Sequence, residues 1–107
     1  WATWCGPCTA QMPEFDRFGE RHGVEVNLIA LNLTRTEGSL ETVRAYLEES
    51  PLDFPVALAA DGAVSAALDV RTTPTTVVFD GRGIERVRRT GAVNADWLSR
   101  RILPFGR

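Results

Sequence analysis

The sequence contains no lysine, because all twelve basic residues among its 107 are arginines. This excludes chemistry that needs a lysine amine, such as Schiff-base formation. No apolar run approaches the ~18 residues of a membrane span, since polar side chains interrupt the most apolar stretch, residues 24–33. Because the sequence begins with Trp1, any signal peptide or membrane anchor would lie upstream of it.

The net charge of −2 is unevenly distributed along the chain. Residues 1–81 contain five arginines and twelve acidic residues, whereas residues 82–107 contain seven arginines and two acidic residues. The basic segment lacks interleaved stacking aromatics and matches no nucleic-acid-binding motif. We therefore interpret it as a solvated edge strand and helix face, and we expect no nucleic-acid partner.

The apolar pattern predicts one domain, residues 1–107, in which helices and strands alternate. Helical periodicity and the caps Ser39 and Asn94 predict helices over residues 7–22, 40–49, 63–68 and 95–103. Runs of β-branched residues between turns predict strands over residues 24–32, 54–58, 75–79 and 84–90, the last two forming a hairpin. In the second helix, Leu40, Val43 and Leu47 are predicted to face inward. This order predicts an α/β sandwich with a sheet between helices.

The only two cysteines, Cys5 and Cys8, stand at the predicted start of the first helix. They close too short a loop to stabilise a fold, so we assign them a chemical role. The helix dipole and unpaired backbone N–H groups favour an anion at Cys5, which places the pKa of its thiol below the ~8.5 of a free thiol. Cys8, further into the helix, is expected to be less exposed and more basic. Cys5 is therefore predicted to attack a substrate disulfide and Cys8 to resolve the mixed disulfide, while Gly6 and Pro7 fix the turn.

A cysteine pair at this spacing can also be half of a zinc site. A closed zinc site needs four ligands, and His22 is the only other cysteine or histidine in the sequence. We therefore predict no metal and no cofactor other than the redox-active Cys5–Cys8 disulfide. His22 is predicted to be a helix-terminal surface residue that the helix dipole favours.

Pro74 stands at the start of the third predicted strand, a position where proline is tolerated. Only about 5% of X–Pro bonds are cis, so position alone predicts a trans bond. The segment Trp-Ala-Thr-Trp-Cys-Gly-Pro-Cys at residues 1–8, with Thr-Pro-Thr at residues 73–75, resembles the thioredoxin superfamily. Residues 26–37, Phe-Pro-Val at 54–56 and Asp-Gly at 61–62 are similar to the TlpA/ResA-type extracytoplasmic thiol-disulfide oxidoreductases.

The resemblance covers essentially the whole chain and implies a thioredoxin-like three-layer sandwich with a mixed sheet between helices. It implies a cis Pro74 beside the active site and a client polypeptide held against Trp4 and the Thr73 backbone. It also implies an anchored or secreted location outside the cytoplasmic membrane, the cytoplasm being the alternative. The implied partners are exported protein thiols and disulfides, apocytochromes among them, and an upstream electron-donor thiol protein.

Many relatives carry a functional acid just after the strand that follows the active-site helix. Glu37 is the nearest candidate here, and Arg35 competes for the same place. If Glu37 is the functional acid, we expect it to repel a nearby thiolate and so raise its pKa. The alternative is that Glu37 is a solvated loop residue.

The strand that the family places immediately before the cysteine motif is not in this sequence. Predicted strands 24–32 and 75–79 would flank that strand, and each buried backbone group left unpaired costs ~1–3 kcal/mol. We therefore expect residues 1–107 to be an N-terminally truncated part of a longer protein that lacks at least one strand.

Three functions come into consideration for these residues. A redox-inert client-binding module needs neither cysteine, so the presence of both favours a thiol-disulfide oxidoreductase. A peroxiredoxin-like peroxidase needs a peroxidatic cysteine with arginine and threonine in a different motif, which this sequence lacks. The Gly-Pro dipeptide between the cysteines resembles that of reducing thioredoxins, whose reduction potential is about −270 mV, more than that of the oxidant DsbA, whose reduction potential is about −120 mV.

Overall fold

The computed structural model describes residues 1–105 and confirms the predicted order of elements. Helices α1 to α4 span Gly6–His22, Leu40–Glu49, Ala63–Ala67 and Ala95–Ile102. Strands β1 to β4 span Ala30–Asn32, Val56–Leu58, Thr75–Phe79 and Glu85–Thr90. Two short 3₁₀ turns span Thr34–Thr36 and Leu103–Phe105. Apart from β1, the element ends lie within two residues of their predicted positions.

The side chains predicted to cap α2 and α4 do so. Ser39 Oγ accepts a hydrogen bond from the Thr42 nitrogen at the start of α2. Asn94 Oδ1 accepts one from the Trp97 nitrogen at the start of α4. Each cap satisfies an N–H group that has no partner within its own helix, which is why these helices begin where the sequence indicates.

The first predicted strand is much shorter than expected. Only Ala30–Asn32 is paired, in parallel with Val56–Leu58, although the prediction covered residues 24–32. Side-chain burial before Ala30 still alternates as in a strand: Val26 and Leu28 are half-buried, and the residues between and after them are exposed. The prediction was wrong in extent because a strand needs a hydrogen-bonded neighbour along its whole length, and β2 supplies one for only three residues.

The four strands form two separate pairs within residues 1–105: β1 with β2 in parallel, and β3 with β4 as an antiparallel hairpin. A cavity of about 620 Å³ lies between the facing edges of β1 and β3. At one end of it, the Trp1 nitrogen donates to the Leu31 carbonyl at 3.0 Å, and the Trp1 carbonyl accepts from the Leu33 nitrogen at 2.9 Å. This is the pattern of a parallel bridge between Trp1 and Asn32. The backbone at Trp1 therefore stands where a strand between β1 and β3 would run.

Two groups of buried apolar side chains form the core, and α1 contributes to both. The first group contains Trp1, Ala2, Cys5, Cys8, Met12, Ala30 and Val43. The second contains Phe18, Val78, Val87, Val93, Leu98 and Ile102. Leu40 was predicted to face inward and is 37% exposed, because the first group packs against the later turn of α2 that carries Val43. Among residues 1–105, no helix has both the length and the apolar character needed to cross a bilayer.

Candidate active site

Cys5 and Cys8 form a disulfide at the start of α1, with their Cα atoms 5.2 Å apart. Cys5 is the N-cap residue of the helix, and its Sγ accepts a hydrogen bond from the Cys8 nitrogen at 3.2 Å. Cys5 keeps 5% of its surface exposed, whereas Cys8 is fully buried. In the reduced protein the same N–H group would face the Cys5 thiolate, and with the helix dipole it would favour the ionised form.

The residues just before Cys5 form a turn, closed by a hydrogen bond from the Cys5 nitrogen to the Ala2 carbonyl at 3.1 Å. Trp4, within this turn, keeps 59% of its surface exposed. Its indole nitrogen donates to Thr36 Oγ1 at 2.9 Å, and that hydroxyl donates in turn to the Leu33 carbonyl at 2.7 Å. The exposed indole beside Cys5 is therefore tied to the 3₁₀ turn.

Glu37, predicted to be either functional or a solvated loop acid, is buried and only 8% exposed. Its Oε2 accepts hydrogen bonds from the Thr3 nitrogen and from Asn32 Nδ2, each at 2.8 Å. Its Oε1 accepts a hydrogen bond from the Thr3 hydroxyl. Burial opposes ionisation of this carboxyl, but the hydrogen bonds outweigh it and hold the Glu37 pKa below its usual value. Glu37 is therefore not a solvated loop acid.

Arg35, the competitor for the same place, lies elsewhere. Its guanidinium covers Gly62, where an added Cβ would come within 2.6 Å of Arg35 Nη1. Glu37, and not Arg35, is the residue that contacts the turn before Cys5.

Asn32 was not predicted to be a site residue, but it is fully buried beside Glu37. Besides Glu37, its side chain contacts the Thr34 hydroxyl, which donates to Asn32 Oδ1 at 2.9 Å. A polar residue at a buried position in an otherwise apolar strand must find hydrogen-bond partners. That was the signal that could have identified Asn32 as part of the site.

Thr73 and Pro74 lie at the start of β3, and the peptide bond between them is cis, as the resemblance implied. Pro74 is buried, and both residues line the cavity that Trp1 and Met12 also line. Within residues 1–105 the backbone of Thr73 makes no hydrogen bond. Its N–H and C=O groups therefore have no hydrogen-bond partner among the described residues.

Gly6 and Pro7 are exposed between the two cysteines. An added Cβ on Gly6 would meet no atom within 4 Å, so packing inside the protein does not require glycine there. The backbone does not require glycine there either, because Gly6 is the first residue of α1 and has no positive φ.

His22 lies at the end of α1 with its ring 5.1 Å from that of Phe18. No group of three or more His, Cys, Asp or Glu side chains is arranged for a metal ion in the part of the chain that the structure describes. Among residues 82–105 of the basic segment, ion pairs with acidic residues engage three arginines: Arg86, Arg88 and Arg100. Arg107, which belongs to the same segment, lies outside the described residues.

Solved structures establish the class of fold. The chain matches StoA from Bacillus subtilis with a TM-score of 0.85 at 25% identity, covering 94% of this chain and 75% of StoA. It matches a Chlorobium tepidum protein described as a thiol:disulfide interchange protein DsbE with a TM-score of 0.88 at 25% identity, covering 100% of this chain and 76% of that one. The fold is therefore thioredoxin-like, as predicted.

The family follows from sequence comparison. The Redoxin family matches residues 1–100, and the chain belongs to that family. It is 28% identical to the thioredoxin-like protein YneN of Bacillus subtilis, covering 95% of this chain and 59% of YneN. It is 35% identical to the thiol-disulfide oxidoreductase ResA of Oceanobacillus iheyensis, covering 92% of this chain and 50% of ResA. The chain thus spans about half to three fifths of the length of these relatives.

Proposed function

We propose that the protein is a thiol-disulfide oxidoreductase whose redox centre is the Cys5–Cys8 pair. The observation that carries the proposal is the disulfide at the N-terminus of α1, with the more exposed cysteine as the N-cap. Similarity to relatives named thiol-disulfide oxidoreductases supports it.

The reaction proposed is a two-step exchange. The Cys5 thiolate attacks one sulfur of a client disulfide, so that a mixed disulfide forms and the other client sulfur leaves as a thiolate. The Cys8 thiolate then attacks Cys5 Sγ and releases the second client thiol. The client gains two electrons, and the protein is left with the Cys5–Cys8 disulfide. A dithiol of an upstream donor protein reduces that disulfide by the same chemistry.

Clients are proposed to bind across Trp4, Thr73 and Pro74. Trp4 offers an exposed, fixed aromatic surface beside Cys5. The free backbone N–H and C=O groups of Thr73 can pair with an extended client, which gives affinity with little demand on client sequence.

The proposed role is reduction of exported proteins outside the cytoplasmic membrane, with apocytochromes among the clients. This part rests on the resemblance to TlpA/ResA-type proteins and on the Gly-Pro dipeptide between the cysteines. Equilibration of the protein with glutathione and dithiothreitol buffers measures the direction of electron flow. We expect a reduction potential of about −270 mV, and a value of about −120 mV would contradict the reducing role.

The oxidoreductase activity is tested by the reduction of insulin disulfides. Cys5→Ser should abolish the reaction, because no thiolate remains to attack the client. Cys8→Ser should still attack and should accumulate a mixed disulfide that mass spectrometry can identify. If the unsubstituted protein binds clients without reducing them, it is a binding module, and if Cys8 is alkylated faster than Cys5, the two roles are reversed.

A further inference from the structure

The turn that carries Cys5 is held by a buried carboxylate, and this suggests a role for Glu37 that does not depend on its charge. We propose that Glu37 is a positioning residue of the exchange site. It holds Thr3, and through Thr3 the Cys5 sulfur, by hydrogen bonds, while Asn32 fixes the orientation of the Glu37 carboxylate. The proposal rests on the exchange function proposed for Cys5.

Both oxygens of the Glu37 carboxylate accept hydrogen bonds from within the protein. Three donors converge on them: the Thr3 nitrogen, the Thr3 hydroxyl and Asn32 Nδ2. Two of these donors belong to one residue, so Glu37 fixes both the backbone and the side chain of Thr3.

Thr3 lies in the middle of the turn that the hydrogen bond from the Cys5 nitrogen to the Ala2 carbonyl closes. A turn held at its centre has little freedom to rotate. The position of the turn decides whether Cys5 Sγ can accept the hydrogen bond from the Cys8 nitrogen, which lies 3.2 Å from it. That contact is the one expected to stabilise the thiolate, so loss of Glu37 should weaken it.

Asn32 cannot exchange the places of its amide oxygen and nitrogen without losing contacts. Glu37 Oε2 can only accept a hydrogen bond, so it must face Nδ2, and Oδ1 is left to accept from the Thr34 hydroxyl. Because Asn32 is fully buried, water cannot replace either partner. The Glu37 carboxylate is thus held from behind by a side chain of defined orientation.

A hydrogen-bonding role and a charge role for Glu37 predict opposite results. If the negative charge repels the Cys5 thiolate, both Glu37→Gln and Glu37→Ala lower the Cys5 pKa. If Glu37 acts by hydrogen bonding, Glu37→Gln leaves the Cys5 pKa unchanged. The glutamine oxygen can accept from the Thr3 nitrogen and Asn32 Nδ2, and its NH₂ group can donate to the Thr3 hydroxyl, which is also an acceptor. Glu37→Ala then raises the Cys5 pKa, because the turn is released.

The test measures the iodoacetamide alkylation rate of Cys5 against pH in the reduced protein, with the alkylated cysteine assigned by mass spectrometry. We expect Glu37→Gln to keep the midpoint of the unsubstituted protein. Glu37→Ala and Asn32→Leu should raise it by up to about one pH unit, the scale of a helix-terminus interaction, and so slow alkylation below the midpoint by up to about tenfold. Glu41→Gln is the matched control, because Glu41 is an exposed glutamate on α2.

Two results would overturn the proposal. A lowered midpoint in Glu37→Gln means that charge matters, and an unchanged midpoint in a folded Glu37→Ala means that the contact is only structural. If Glu37→Ala does not fold, Thr3→Val provides the milder case, since it removes one of the three donors, and it should raise the midpoint by a smaller amount. The alkylation midpoint needs no client protein. A chain that shows this pattern but does not reduce insulin therefore disproves the exchange function alone.

Discussion

The indole nitrogen of Trp4 lies 2.9 Å from Thr36 Oγ1 and donates a hydrogen bond to it, although more than half of the Trp4 surface is exposed. The polar edge of the ring is thereby held, and its apolar face is presented to solvent in one orientation. An aromatic side chain fixed in this way needs little further ordering when another protein binds.

We expect Thr36→Val to weaken client binding without slowing exchange itself. The substitution removes the acceptor of the Trp4 indole, and one hydrogen bond of ~0.5–1.5 kcal/mol corresponds to a KM increase of about two- to tenfold. Steady-state reduction of insulin measures KM and kcat separately. Thr90→Val on β4 is the control, since Thr90 is also an exposed threonine. A fall in kcat at unchanged KM would show that Thr36 does not act through client binding.

Protonation of Glu37 should destabilise the protein at acidic pH. The Glu37 pKa is lower in the folded protein than its ordinary value of about 4.3. Its contribution to stability is therefore complete above that value and is lost as pH falls through the folded-state pKa. Urea unfolding between pH 7 and pH 3, measured on the chain with its upstream segment, should show a smaller loss of unfolding free energy in Glu37→Gln than in the unsubstituted protein. Equal pH dependence in the two proteins would contradict this prediction.

The cavity between β1 and β3 leads to a prediction about the chain upstream of Trp1. We expect an extended segment joined to Trp1 to fill the cavity, parallel to β1 and continuing the Trp1–Asn32 bridge. Each buried backbone group that such a strand pairs contributes ~1–3 kcal/mol. Two measurements compare residues 1–107 with the same residues carrying their natural N-terminal extension. Thermal unfolding followed by circular dichroism should be cooperative only for the extended chain, and size-exclusion chromatography should show a monomer only for that chain.

The matched control is an extension of equal length made of glycine and serine, which has low strand propensity and should not stabilise the fold. If residues 1–107 alone unfold cooperatively as a monomer, no strand is needed and the prediction fails.

The local elements could be predicted from the sequence because their signals are local. Ser39 and Asn94 cap the helices that they were predicted to cap, and the run of β-branched residues over 75–79 is a strand of those bounds. The extent of β1 could not be predicted. Whether residues 24–29 join a sheet depends on a neighbouring strand distant in sequence.

The cysteine pair of the site could also be predicted from the sequence, but the contacts around it could not. Two cysteines at the start of a helix indicate exchange chemistry through the helix dipole alone. The contacts of Glu37 with Thr3 and Asn32 join residues 34 and 5 positions apart, and the first of these depends on how the chain folds back on itself. Glu37 could therefore be named as a candidate only through the resemblance to relatives, either as an acid acting by its charge or as a solvated loop residue, because its partners cannot be read from the sequence.

The division of the core into two groups has a consequence for local opening. Cys8 and Met12 on α1 pack in one group and Phe18 in the other, so either group can loosen while the opposite end of the helix remains packed. In native-state hydrogen exchange, the hairpin β3–β4 with α4 and the half containing β1 and α2 should open as two units of different free energy. The amides of α1, shared by both units, should exchange last.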